Sequence, residues 1–142
     1  MNATSAATAS AVTFVWLGMV LAISFLEAPL KFRAPGVTIP IGLGIGRLVF
    51  RALNAVEAVF AVAVIAVAAA GGATAAVGWA TGAAAALLLA QLAVVRPLLN
   101  RRSDRVLAGE DLPRSRSHLW YVALELAKVA ALIALGVALN TR

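Results

Sequence analysis

The sequence predicts an all-α integral membrane protein built as a four-helix bundle. Of its 142 residues, 63% are hydrophobic and 13% are charged, which is far too apolar for a soluble domain. The apolar residues gather into four runs of roughly 20 residues, and each run is long enough to cross a hydrocarbon core of about 30 Å. A segment in lipid must satisfy its own backbone hydrogen bonds, so each run is expected to be a helix. The length fits a single domain over residues 1–142.

The four helices are expected at about 11–30, 48–70, 75–95 and 118–139. The segment before the first run, MNATSAATAS, has no basic residue. It therefore does not resemble the start of a cleaved signal peptide, and the first run is expected to stay as a helix. The segment itself is small and polar and is expected to fray outside the membrane. The chain has no cysteine, which excludes disulfides, thiolate metal ligands and a cysteine nucleophile.

The basic residues predict the orientation of the bundle. Nine of them lie in or beside the loops that join the first helix to the second and the third to the fourth, whereas only Arg142 lies at the opposite ends of the helices. The positive-inside rule therefore places both loops in the cytoplasm and both termini on the outer side. We expect the plasma membrane of a bacterium. The same rule accounts for the formal charge of +6, so the expected partner is the lipid bilayer and no nucleic acid is expected.

The two basic loops differ in character. The first, RAPGVTIPIGLGIGR, contains Pro35 and Pro40, which are expected to break a helix, and glycines that allow sharp turns or a close approach of the backbone. The second, NRRSDRVLAGEDLPRSRS, mixes both signs of charge. It is expected to be a solvated loop with at most one short amphipathic turn.

Polar residues follow one face of the fourth helix. At about 100° per residue, the polar side chains of HLWYVALELAK fall within an arc of about 80°. They are His118, Tyr121, Glu125 and Lys128. Trp120 points nearly the opposite way, as a ring at the lipid interface would.

The second helix carries a similar polar face within an arc of about 120°. Its members are Arg47, Arg51, Asn54 and Glu57. Three of these positions lie 71 residues before polar positions of the fourth helix, as Glu57 does before Lys128.

Other segments repeat as well: APLKFRA resembles RPLLNRR, and Trp16 is matched by Trp79. We interpret the pattern as a faint duplication of a helical hairpin. The two polar faces then meet inside the bundle. Glu57 is expected near Lys128, and Arg51 beside Glu125 or Glu27.

The number of polar groups in the helices predicts a pocket. A charged side chain at the centre of a bilayer costs at least about 2.5–3.5 kcal/mol, so these groups are expected to face inward and to pair. Ion pairs that only fix the packing would give the same pattern. Each interhelical pair contributes only about 0.6–2 kcal/mol, however, so packing alone rarely requires nine polar groups in four helices. We therefore expect a polar pocket that opens to the cytoplasm. The side chains expected to bind a ligand there are Glu27, Arg51, Asn54, Glu57, Gln91, His118, Tyr121, Glu125 and Lys128.

Three kinds of function stay open at this point. The first is the binding or translocation of a small molecule or ion, with Glu57, Glu125 and Lys128 as buried titratable groups. The second is a membrane enzyme of the isomerase, cyclase or oxygenase type, in which the two carboxyl groups act as acid or base on a lipophilic substrate and His118 moves protons. The third is a structural accessory subunit whose polar face is only a zipper of ion pairs. No cofactor is assigned.

A metal site is not expected. The chain has one histidine and lacks the paired Glu-x-x-His spacing of di-iron bundles. Lys128 and Arg51 would also compete for the carboxylates that a single metal ion needs.

The third helix has a face of small residues. These recur at every fourth position, which allows helices to approach closely. They are Thr74, Gly78, Gly82, Ala86 and Ala90. We expect this face to pack within the protomer, and a homodimer through the Gly78/Gly82 face is the alternative.

Several short motifs together resemble the transmembrane-protein-205-like family of small four-helix membrane proteins. They are WLGM at 16–19, SFLEAPLKF at 24–32, GRLVFRALN at 46–54, RPL at 96–98 and RSH at 116–118. The resemblance covers most of the chain and implies four spans and the handling of a small molecule or a metal complex. The chain departs from the family where Leu119 follows His118 and where Glu125 replaces an asparagine. No role is therefore carried over to His118. A looser likeness to small membrane oxygenases keeps the enzymatic alternative open.

Overall fold

A computed structural model describes residues 1–110 and 116–141, in which the chain forms helices and no strand. The helices are α1 (Ala3–Arg33), α2 (Ile39–Gly71), α3 (Ala75–Leu107) and α4 (Arg116–Asn140). All four contain a stretch long and apolar enough to cross a membrane, which indicates a membrane protein. The predicted helical class and the number of spans are confirmed.

The helices run alternately up and down. Each packs on the next along the chain, and α4 closes the bundle against α1. Met1 and Asn140, near the two chain termini, lie at one end of the bundle, which we call the terminal end. There the Met1 ammonium lies 3.4 Å from the Gly72 carbonyl oxygen, and the Asn140 amide donates to the Ser10 hydroxyl at 2.8 Å. We call the opposite end the basic end. There Arg47 in the first part of α2 pairs with Asp104 near the end of α3.

The first helix begins earlier than expected. Asn2 caps it, since its side-chain oxygen accepts a hydrogen bond from the Ser5 amide at 2.7 Å. Ala9 is buried among residues of the other three helices. The expectation that MNATSAATAS frays was wrong, because residues 3–10 form a capped stretch of helix that is anchored on the bundle by the buried Ala9.

The second helix also begins earlier, at Ile39. Thr38 caps it by accepting from the Ile41 amide, and Pro40 stands in the first turn, where its missing N–H costs nothing. The expectation that Pro40 breaks a helix was therefore wrong. The turn before α2 is short and includes Gly36 with a φ of 81°. Gly42 provides a close approach, because a Cβ there would lie 2.2 Å from the Phe32 ring.

The third helix continues to Leu107 through a stretch that was expected to be a solvated loop. Pro97 does not end it, because the five residues before Arg96 form a π-helical segment, Gln91–Val95. The first helix has a matching π segment, Leu21–Glu27, just before Pro29. Proline has no N–H, so a backbone carbonyl in the preceding turn loses its donor. A π turn shifts the hydrogen-bond pattern so that the freed carbonyl is satisfied again, which is one way that membrane helices accommodate proline. The loop expectation was wrong for 100–107, and 111–115 lie outside the described residues.

The apolar core fills the terminal half of the bundle. Its two clusters of buried side chains draw on all four helices. Their buried members are Ala9, Trp16, Val20, Ala61, Val64, Val77, Ala84, Leu88, Leu132, Leu135 and Leu139. The buried charged side chains lie at the inner boundary of this core, toward the basic end, whereas Thr13 and Thr81 are buried polar residues within the terminal half.

The small-residue face of α3 points away from the protomer. A Cβ added at Gly78 or Gly82 would meet nothing within 4 Å, and α3 buries Val77, Ala84 and Leu88 instead. The expectation that this face packs within the protomer was wrong, because the larger side chains on the other side of α3 remove more apolar area from the exterior. The homodimer through this face stays a prediction.

Candidate functional site

Lys128 lies at the centre of the bundle and is 0% exposed. Its Nζ lies 2.6 Å from Glu57 Oε2, 2.6 Å from Glu125 Oε1 and 2.8 Å from Gln91 Oε1. An ammonium has three donors, so these three contacts match its full capacity. The expectations that Glu57 lies near Lys128 and that the carboxylates face inward are confirmed.

The first helix supplies two more donors. The Trp16 indole N–H donates to Glu57 Oε2 at 2.8 Å, and the Ser24 hydroxyl donates to Glu125 Oε2 at 2.8 Å. Ser24 and Gln91 continue the inner faces of their helices at the ordinary helical spacing, Ser24 four residues after the buried Val20 and Gln91 three residues after the buried Leu88. We call the six residues Trp16, Ser24, Glu57, Gln91, Glu125 and Lys128 the lysine cluster. It joins all four helices.

The lysine cluster pairs two carboxylates with one ammonium. Charges removed from water in this way need both an opposite charge and hydrogen bonds. The cluster provides both in part, since each carboxylate meets Lys128 and also accepts from α1. Glu57 Oε1, Gln91 Nε2 and Glu125 Oε1 are nevertheless buried without a hydrogen-bond partner, so the cluster is an ion-pair junction between helices whose hydrogen bonding is incomplete.

A cavity of about 590 Å³ lies between the lysine cluster and the basic end. All four helices contribute to its wall, which is mostly apolar. Its apolar and aromatic lining comes from Phe25, Ala28, Pro29, Phe32, Leu43, Phe50, Leu99, Tyr121 and Val122. Its polar lining comes from Ser24, Lys31, Arg47, Arg96, Asn100, Ser103, His118 and Glu125. Ser24 and Glu125 belong to both structures, so the cluster forms one boundary of the cavity.

Arg96 is held in the cavity wall by two aromatic rings. Its guanidinium carbon lies 4.7 Å from the Phe50 ring centroid and 4.5 Å from that of Tyr121. The two rings stand nearly perpendicular, at 87°, with centroids 5.7 Å apart. Among the described residues, no carboxylate forms an ion pair with Arg96, and its Nε and Nη2 atoms are buried without an acceptor. Arg96 therefore differs from the other cations of the cavity.

Those other cations have acidic partners. Lys31 Nζ lies 3.5 Å from Glu27 Oε2, and Arg47 pairs with Asp104. Lys31 also lies 5.7 Å from the ring centroids of Phe32 and Phe50. The positive end of the cavity is thus built on aromatic faces, which attract cations.

A second cavity of about 480 Å³ adjoins the first. The two share Leu43, Leu99, Ser103, His118 and Val122 in their walls. The second adds Arg102 and Arg116, so the basic character extends toward the surface.

The predicted site residues separate into three groups. Glu57, Gln91, Glu125 and Lys128 meet in the lysine cluster. Tyr121, Glu125 and His118 line the cavity, and His118 is exposed.

The remaining three lie apart from both. Glu27 is partly buried and pairs with Lys31, Asn54 is buried on α2, and Arg51 is exposed. The expectation that Arg51 serves Glu125 or Glu27 was wrong, because Lys128 and Lys31 are nearer partners for these carboxylates.

Sequence reasoning missed Trp16, Ser24 and Arg96. Trp16 was only matched to Trp79 in the internal repeat, yet Trp16 is buried in the lysine cluster and Trp79 is 82% exposed. Arg96 was counted only as a cytoplasmic charge. Its position directly before Pro97 in RPLLNRR was the available signal, because a proline inside a helix is accompanied by a kink or an altered turn.

The described residues contain no group of three His, Asp or Glu side chains placed to hold a metal ion. The space between Glu57 and Glu125 is taken by the Lys128 ammonium. Ser24 donates to the Glu125 carboxylate, which also meets Lys128, so the arrangement differs from a serine–histidine pair.

Comparison of the chain with protein-family models, with curated proteins and with solved structures found no match.

Proposed function

We propose that the chain binds or translocates a small molecule or ion in the cavity above the lysine cluster. The observation that carries this proposal is a space of about 590 Å³ with a mostly apolar wall and a few converging polar groups. Pockets of this size and character are the usual binding sites for drug-sized molecules. The lysine cluster then has a supporting role, because its ion pairs and hydrogen bonds hold the four helices together beside the cavity.

The proposal includes an orientation. The basic end faces the cytoplasm and both termini face the outer side, since the short loops that carry most Lys and Arg stay inside. The cavity then opens to the cytoplasm. A bacterial plasma membrane and kinship with the transmembrane-protein-205-like family are parts of the same proposal and rest on the sequence motifs alone.

The enzymatic alternative keeps a smaller set of residues. Glu125 and His118 line the cavity, whereas Glu57 is 0% exposed and lies behind it. Acid or base chemistry on a lipophilic substrate would therefore rest on Glu125, which already meets Lys128 and Ser24. The accessory-subunit alternative is favoured by the ion pairs of the lysine cluster, which join the helices, but it does not account for the cavity.

The test fills the cavity. Val122 lines it, so Val122→Trp is expected to exclude an occupant, whereas Leu126→Trp on the outer surface of the same helix is the matched control. Small molecules extracted from the purified proteins are compared by mass spectrometry. We expect a compound that is present with the parent protein and the control and is depleted in Val122→Trp. Identical extracts from all three proteins would contradict binding in the cavity.

Cells separate transport from catalysis. Altered accumulation of an unmodified compound favours translocation, whereas a new product favours the enzyme. If Glu57→Gln and Glu125→Gln only lower the stability of the protein, and neither the accumulation of a compound nor the formation of a product changes, the accessory-subunit alternative is favoured.

A further inference from the structure

We infer that the occupant of the cavity is an amphiphilic anion, with an acidic group near Arg96 and an apolar body along the phenylalanines. This inference rests on the proposed function and names the class of ligand. The acidic group is a carboxylate, sulfonate or phosphate. It belongs either to a free organic anion or to the head group of a bilayer lipid, which share this chemistry.

The charge of the cavity is the first step. Arg96 is a permanently charged group inside a membrane protein and has no carboxylate partner among the described residues. An unpaired charge away from water is costly, and intramembrane cations usually mark a ligand or ion path. Lys31 and Arg47 line the same wall but are paired with Glu27 and Asp104, so Arg96 carries the uncompensated positive charge of the cavity. An anion is the ligand that compensates this field.

The one carboxylate in the wall does not reverse this conclusion. Glu125 shares the Lys128 ammonium with Glu57, so one formal negative charge stays on the lysine cluster. Lys128 and Ser24 already contact the two oxygens of Glu125, however, and no ion pair joins Glu125 to Arg96. Arg96 by contrast has only ring faces beside it. Ring faces orient a guanidinium and leave its in-plane N–H groups for an oxyanion, for which a planar fork of donors is well suited.

The third helix places suitable neutral groups on the same side. Arg96, Asn100 and Ser103 recur at the spacing of one helical face, and all three line the cavity. Their amide and hydroxyl groups can donate to the acidic oxygens that the guanidinium attracts.

The shape of the remaining wall argues for an apolar body on the ligand. Phe25, Phe32, Phe50 and Leu43 line the cavity, and a small inorganic anion would leave most of this surface against water. Burial of apolar area contributes about 25 cal/mol per Å², so a ligand with a ring system or a chain gains where an inorganic ion does not.

The experiment uses three probes with one apolar body: naphthalene-2-sulfonate, 2-naphthol and 2-naphthyltrimethylammonium. The full chain is placed in nanodiscs of phosphatidylcholine, and binding is measured by equilibrium dialysis against empty nanodiscs. We expect the sulfonate to bind at least tenfold more tightly than the other two probes. This ranking needs no variant and therefore does not depend on a substitution that fails to fold.

Variants then locate the acidic group. Arg96→Gln is expected to weaken sulfonate binding at least tenfold and to leave naphthol binding unchanged, while Arg96→Lys keeps part of the affinity. Arg101→Gln is the matched control, since Arg101 is an exposed residue of the same helix outside both cavity walls. Equal binding of the three probes, or sulfonate binding that ignores Arg96, would overturn the inference and leave the proposed function intact. The cavity-filling variant decides the proposed function separately.

Nanodiscs containing phosphatidylglycerol distinguish the two sources. If the lipid competes with the sulfonate in the parent protein more than in Arg96→Gln, the anion is a lipid head group. If competition is the same in both proteins, the anion comes from the aqueous phase. Failure of the sulfonate to bind the parent protein in either disc would overturn the inference.

Discussion

Lys128 shows how a single buried ammonium can organise four helices. It is 0% exposed and meets side chains of α2, α3 and α4, while α1 reaches the same carboxylates through Trp16 and Ser24. A buried ion pair is weak evidence for net stability, because desolvation opposes the attraction. Its removal is nevertheless costly, since the partners stay buried.

Lys128→Met is therefore expected to destabilise the protein by about 3–5 kcal/mol, because it leaves two carboxylates without their cation. The free energy of unfolding is measured by denaturant titration in mixed micelles. Adding Glu57→Gln and Glu125→Gln to Lys128→Met is expected to restore part of the loss, since the amides remove the uncompensated charges. Stability of Lys128→Met equal to that of the parent would show that the cluster does not hold the bundle.

The helices depart from their predicted limits at capping residues and prolines. Hydropathy located the apolar spans but could not extend them through polar sequence, so the prediction left out residues 3–10 of α1 and the charged continuation of α3 to Leu107. Proline usually breaks a helix, but α3 continues through Pro97 because a π segment precedes it.

The inward faces of α2 and α4 were predictable at Glu57, Glu125 and Lys128, and Gln91 of α3 was predicted as a polar group of the pocket. Trp16 and Ser24 of α1 were not predicted as partners, because an indole and a hydroxyl carry no charge that must face inward. Arg96 was not predicted either, because it follows a π segment, and an extra residue in a turn rotates the helix that follows by about 100°. The internal repeat stays a prediction: each π segment precedes a proline, but Trp16 and Trp79 occupy different environments.

Gly42 tests the junction between α1 and α2. A Cβ at this position would lie 2.2–2.8 Å from three atoms of the Phe32 ring, so Gly42→Ala must displace the whole ring. We expect a loss of about 1 kcal/mol, at the low end for overpacking, because Phe32 is 40% exposed and its ring can turn aside. Gly44→Ala is the control, because nothing lies within 4 Å of a Cβ there and alanine favours a helix. Equal stability of the two variants would argue against close contact at Gly42.

The two ends of the molecule differ in charge, because most of the Lys and Arg residues lie at the basic end and few lie at the terminal end. Basic residues predict that the basic end faces the cytoplasm. The absence of native cysteine makes single-cysteine labelling direct.

Thr141→Cys and Ala108→Cys place one thiol at each end, both at exposed positions. In intact cells, a membrane-impermeant maleimide is expected to label Thr141→Cys readily and Ala108→Cys only after permeabilisation. The reverse pattern would invert the proposed orientation and open the cavity to the outer side.

The apolar packing of the terminal half has a consequence for any solute that enters. Val64, Leu132 and Leu135 lie beyond Lys128 in the two apolar clusters of that half. Among the described residues, the lysine cluster lies between these apolar clusters and the first cavity. Under the proposed translocation, a solute would reach the far leaflet only after these apolar side chains moved apart, which is the alternating access of a transporter and not the open pore of a channel.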